Sequence, residues 1–192
     1  MFMKKLFYFF IFAATIISCN SADHNHDEAV VISSGSAPDT AKGSKKAYVR
    51  KKINDANITI NYYSPAVRNR TIWGGLVAFD KVWVSGAHSA TSIETDKPLV
   101  IDGKTIPAGK YGFFTIPGIP EWTLIINKNW DQHLADEYDQ KDDVLRWKVK
   151  PDTTSTIQER LMYEIDQTGE YKGDFDLLWE KLRIKTFFTI QR

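Results

Sequence analysis

The sequence predicts an all-β domain, a single antiparallel β-sandwich of about nine strands with at most one short helix; a closed barrel is the second choice. Three observations lead there. Short apolar or alternating runs rich in Val, Ile, Thr and aromatic residues recur through the second half of the chain. Turn signals such as Asp102-Gly103, Pro107-Ala108-Gly109, Pro117-Gly118 and Pro151-Asp152 separate them. Aromatic residues make up 13% of the 192 residues and include six Trp, enough for a dense core in one domain.

The N-terminus comes first in the chain. Met1 to Lys5 is a short basic region, and Leu6 to Ile17 is an apolar run too short to span a membrane. Ile16-Ile17-Ser18-Cys19 resembles a bacterial lipobox, in which cleavage before the Cys leaves it to carry lipid, palmitate included. The expected organisation is a lipoprotein signal peptide over 1–18, lipid attachment at Cys19, a flexible tether over 19–46 and the β-sandwich over 47–192. Cys19 is the only Cys, so an internal disulfide is excluded. Asn20 is not the Asp associated with inner-membrane retention, so the expected location is the cell envelope, at the outer membrane. The expected partner is the membrane, through that anchor.

The tether holds His24-Asn25-His26-Asp27-Glu28, but two imidazoles on a flexible segment preorganise nothing, and no metal or cofactor is expected. Lys42, Lys45, Lys46, Arg50, Lys51 and Lys52 read as a charged, solvated lead-in. The net charge of +1 gives no argument for nucleic acid.

Within the domain, Asn57 to Tyr63 alternates, with Ile58, Ile60 and Tyr62 on one face of a half-buried strand. Val67-Arg68-Asn69-Arg70 reads as a surface loop, with a two-guanidinium anion clasp as the alternative. Lys81 to Ser85, with Val82-Trp83-Val84 at its centre, reads as a buried strand. Leu99 to Ile101 and Thr105-Ile106 form a hairpin about Asp102-Gly103. Lys110 to Ile116 is a strand in which Gly112 marks a bulge or a close backbone approach. Trp122 to Asn127 is a strand buried on both faces. Lys128 to Asp143 lacks a strand pattern, is long for a loop in a compact β domain, and carries the one short helix expected, near Asn129 to Tyr138. Val144 to Lys150, Thr156 to Ile165, Asp176 to Trp179 and Leu182 to Ile190 complete the strands, with Gln167 to Asp174 as a turn.

A family resemblance rests on Trp73-Gly74-Gly75-Leu76-Val77, on Lys81-Val82-Trp83 with Gly86-Ala87, on Pro107-Ala108-Gly109-Lys110-Tyr111 and on Phe114-Thr115-Ile116-Pro117. Trp122 through Asn127-Lys128 and Asp143-Val144-Leu145-Arg146 extend it. In order and spacing these resemble domain-of-unknown-function family 2911, found in bacterial secreted and lipid-anchored proteins. The likeness runs from about Ala56 to Thr189 and implies a fold and a compartment, with no activity to carry over. Many members have Arg and Asn at the places of Val84 and His88, so this chain departs there.

No catalytic constellation is expected. Ser85, Ser89 and Ser92 surround His88 without a G-x-S-x-G motif, and strand neighbours point to opposite faces. His88 and His133 are the only His of the domain, and no H-E-x-x-H occurs. The acids Asp131, Asp136, Glu137, Asp139, Asp142 and Asp143 lack the calcium-loop pattern. The candidate ligand-binding residues are Trp130, Asp131, His133 and Asp136 of the long loop, with His88. Trp130 either offers its ring for stacking or, the favoured reading, folds back onto the sandwich as a plug. The expected function is a non-catalytic binding or interaction module for a glycan, a peptide or another envelope protein. The alternative is a hydrolase using the 128–143 loop, with His133 and a nearby carboxylate as acid and base.

Overall fold

The computed structural model describes residues 42–192. The expected signal peptide, Cys19, the His24–Glu28 stretch and most of the expected tether lie outside the described residues. Ten strands are present: β1 Lys45–Ile53, β2 Ala56–Ser64, β3 Thr91–Thr95, β4 Leu99–Ile101, β5 Lys104–Ile106, β6 Gly109–Ile116, β7 Trp122–Asn127, β8 Asp143–Val149, β9 Asp152–Gly169 and β10 Lys172–Ile190. They form a six-stranded sheet, ordered β1-β2-β3-β6-β7-β8, and a four-stranded sheet, ordered β5-β4-β10-β9. Every strand pair is antiparallel and neither sheet closes on itself, so the fold is the expected β-sandwich and not a barrel.

Alternation puts Ile58, Ile60 and Tyr62 of β2 and Trp122, Leu124 and Ile126 of β7 in the space between the sheets. There they meet Leu161, Tyr163, Phe175, Leu177, Trp179 and Phe188 of the other sheet. A second, smaller core lies on the outer face of the six-stranded sheet, where Val84 and Ala90 cover Phe114 and Ile125, with Tyr138 and Ala135 packed against them. This explains why β7 is buried on both faces, as its sequence predicts.

Four expectations need correction. The basic cluster is not a lead-in: β1 begins at Lys45, pairs with β2 from Lys45↔Ser64 to Ile53↔Ala56, and buries Ala47 and Ile53. Lys81 to Ser85 is no strand. It makes one isolated bridge, Trp83↔Thr115, and leaves β geometry at Ser85, whose φ is 55°. The short helix near Asn129 to Tyr138 is absent; a 3-10 turn at Gln140–Asp142 stands after it. Gly112 is a close approach and not a bulge: its register with Ser92 is unbroken, and a Cβ there would meet the Phe114 ring at 2.6 Å and the Asn129 carbonyl at 2.9 Å.

The sequence reads β10 as two strands, and its bounds make it one. A straight strand would separate Asp174 from Lys185 by roughly 36 Å at ~3.3 Å per residue. Their side chains instead form an ion pair of 2.9 Å, and Ile190 N–H donates to Tyr171 O at 2.8 Å. The strand therefore doubles back, and the turn falls at Glu180, whose φ is 55°. The reversal gathers Asp174, Asp176, Arg183 and Lys185 into one cluster. Burial pushes the Asp176 carboxyl above its ordinary range, and its hydrogen bond from Arg183 pulls it back. Asp176→Ala removes the partner of two cations and is expected to cost about 2–3 kcal/mol, read by chemical denaturation.

Burial also raises the phenols of Tyr62, to about 12, and of Tyr163. A raised phenol favours the native state while neutral. That stability is whole below the ordinary tyrosine value of 10.0 and is lost as pH climbs through about 12. Unfolding free energies from chemical denaturation between those values should fall by about 1.4 kcal/mol per pH unit for each such tyrosine, less steeply in Tyr62→Phe.

Candidate functional site

The chain between β2 and β3 builds the site. The end of β2 is sewn to β9: Leu161 N–H donates to Pro65 O at 2.9 Å, Val67 N–H to Glu159 O at 2.8 Å, and the Ser64 hydroxyl to Leu161 O at 2.6 Å. The chain so crosses from one sheet to the other. Arg68 and Asn69 turn it with φ of 48° and 54°. The Thr71 to Val77 segment then closes into a knot of backbone bonds, among them Leu76 N to Thr71 O at 3.0 Å and Val77 N to Ile72 O at 2.9 Å. Only glycine fits at Gly75, where a Cβ would lie 2.4 Å from the Thr71 carbonyl oxygen.

This knot presents Trp73 to the core. Its ring meets Trp122 at 4.8 Å, Trp179 at 5.7 Å and Trp83 at 5.9 Å, all edge-on, and Trp83 stacks on Trp179 at 5.9 Å. The Ser85 carbonyl, holding the next turn, accepts from the Tyr163 hydroxyl at 2.7 Å and from the Thr91 hydroxyl at 3.0 Å. The Ser85 hydroxyl is buried and bonds Thr115 Oγ1 at 3.1 Å. It is a structural group, not a nucleophile for His88.

A cleft of about 280 Å³ opens between these pieces. Trp83 and Trp179 form its aromatic wall, and Val84, Ala87 and Val77 continue it. Leu76 and Leu134 line it while staying 48% and 41% exposed, two of the few large apolar side chains left in solvent. Arg70 and His88 supply the polar side. Arg70 donates from Nε to Val67 O at 3.2 Å and from Nη2 to Ala66 O, so backbone carbonyls fix its guanidinium. Trp179 is fully buried, and its indole N–H has no partner among the described residues. Gly86, whose Cβ would meet Tyr63 O at 3.0 Å, also borders the cleft.

The five candidate residues part company. His88 borders the cleft, takes φ of 60°, and sets its ring edge-on to Tyr63 at 5.2 Å. Its carbonyl accepts from Leu134 N–H at 2.6 Å, and Ser89 bridges His133, so the long loop and the His88 turn are joined through backbone. Trp130, Asp131, His133 and Asp136 are exposed and do not line the cleft. Trp130 is not the plug: 37% exposed, it carries the Lys110 ammonium 3.6 Å above its ring, while Tyr138 and Ala135 cover the sheet. Arg68 reaches Gly43 O instead of joining Arg70, so the two guanidiniums do not form a clasp. Among the described residues no group of three or more His, Cys, Asp or Glu is placed to hold a metal ion, and no helix is long and apolar enough to cross a membrane.

Two of the loop acids are structural. Buried Asn127 donates to Asp139 O at 3.0 Å and to Asp143 Oδ1 at 2.8 Å, and accepts from Asn129 N–H at 2.8 Å. Asp143 also accepts from the Tyr138 hydroxyl at 2.8 Å. Burial, and then that bond to Asp143, drive the Tyr138 phenol far above its ordinary range.

The chain belongs to the family described as a protein of unknown function, DUF2911, which it matches over residues 44–188. No curated protein and no solved structure matches it. Leu76, Val77, Trp83, Gly86 and Ala87, all residues of the family resemblance, line the cleft, and so do Val84 and His88.

Replacing Asn127 leaves the loop's backbone groups unpartnered. Asn127→Leu is expected to cost about 2–3 kcal/mol and to raise amide exchange across 128–143 selectively, measured by hydrogen exchange with mass spectrometry.

Proposed function

We propose that this is a lipid-anchored cell-envelope protein whose β-sandwich is a non-catalytic binding module, with the Trp83/Trp179 cleft as its ligand site. One observation carries the reading. Trp83, backed by the buried Trp179 on which it stacks, forms the cleft wall and two exposed leucines line it, the apolar, largely preformed shape that small-ligand sites have. The basic N-terminus, the short apolar run and Cys19 support the anchor and the envelope location. Asn20 favours the outer membrane over the inner. A hydrolase acting through the 128–143 loop has less behind it. Asp131, His133 and Asp136 are exposed, and Asp139 and Asp143 spend their oxygens holding the loop.

Two measurements test this. Labelled palmitate should appear on the wild-type protein and be lost, with membrane association, in Cys19→Ser; a wild-type chain without label removes the anchor. The chain from residue 19 onward, carrying Cys19→Ser to stay soluble without detergent, should show saturable quenching of tryptophan fluorescence by decan-1-ol. Ala87→Trp, which fills the cleft, should abolish that quenching while melting cooperatively. Equal quenching in both would move binding out of the cleft.

A further inference from the structure

Resting on the cleft as the ligand site, its charge points to the kind of ligand. The cleft lining contains Arg70 and His88 and, among the described residues, no carboxylate. Arg70 has no ion-pair partner there either: its bonds go to the carbonyls of Ala66 and Val67. Those bonds use two of the five N–H donors of a guanidinium and leave the rest for a ligand. An arginine held by neutral backbone at the edge of an apolar cleft presents its guanidinium from a fixed place.

We propose that the cleft takes an amphipathic anion, its apolar chain or ring against Trp83, Leu76 and Leu134 and its acid group on the Arg70 guanidinium. A neutral lipid chain of the same length would gain the apolar contact but not the charge-assisted bonds. An amphipathic cation would meet a like charge at the rim. A glycan, rich in hydroxyls and without an apolar body, would leave the leucines in water.

The test compares three probes with one chain and three heads: decanoate, decan-1-ol and decylamine. Binding to the soluble Cys19→Ser chain from residue 19 is read by tryptophan quenching and by calorimetry. Decanoate should bind about tenfold more tightly than decanol, the worth of a hydrogen bond to a charged group, and decylamine should bind most weakly. Arg70→Gln should bring decanoate down to the level of decanol and leave decanol unchanged. Arg70→Lys, which keeps the charge, should retain part of the preference and guards against a variant that merely disturbs the turn. If decanol and decanoate bind the wild type equally, or if Arg70→Gln keeps the preference, the anion assignment falls while the cleft remains a binding site. If none of the three probes binds, the cleft reading falls with it.

Discussion

Four indoles hold this molecule in its shape. Trp122 comes from the six-stranded sheet, Trp179 from the four-stranded sheet, and Trp73 and Trp83 from the chain that crosses between them. Their centroids lie 4.8 to 6.4 Å apart, four of the five pairs edge-on. Each such pair is worth about 0.5–1.5 kcal/mol beyond the area it buries. The larger effect is on the crossing chain, which has almost no ladder of its own. Two side chains inserted between the sheets, together with the Trp83–Thr115 backbone bridge, give it a single conformation. The cleft is what remains open beside that insertion.

The same arrangement couples site and core. The stacked Trp83 and Trp179 are at once interior packing and cleft wall. The Tyr163 hydroxyl, from the heart of the second sheet, holds the Ser85 carbonyl whose turn leads to Ala87 and His88. On the other side the long loop reaches Leu134 to the cleft by bonding the His88 carbonyl, and that loop is itself fixed by Asn127. Cleft residues so placed are held in position by groups that lie outside the cleft.

Much of the sandwich was legible because its signals are local. The alternation of Ile58, Ile60 and Tyr62, the Asp102-Gly103 hairpin, with φ of 48° and 72°, and the run Trp122 to Asn127 each declare a strand or turn within a few residues. The Lys45–Ile53 strand was hidden because it is an edge. Its face toward the core shows only Ala47, Val49 and Ile53 among six cations in the region, so the charge outweighed the period. Val82-Trp83-Val84 misled for the opposite reason. It is apolar because two different cores claim it, Val84 on the outer face and Trp83 between the sheets, not because it lies in a ladder. Little of the site was legible. His88 was singled out, and Arg70 was named as half of an anion clasp, yet the two meet Leu76, Leu134 and Trp179 only through the crossing and the doubling of β10, contacts with no local signature. The long loop attracted attention through its acids, whose work is mostly to hold the loop.

The cations that obscured β1 have a use of their own. β1 and β8 are the two outer strands of the six-stranded sheet, and an outer strand offers unpaired backbone groups to any neighbour. β1 lines its edge with Lys45, Lys46, Arg50, Lys51 and Lys52, whereas the β8 cations Arg146 and Lys148 are ion-paired with Asp143 and Glu121. Two copies approaching edge to edge bring like charges together and must strip water from ammonium groups before a single backbone bond forms. The positive β1 border so acts as a gatekeeper against sheet extension from that edge.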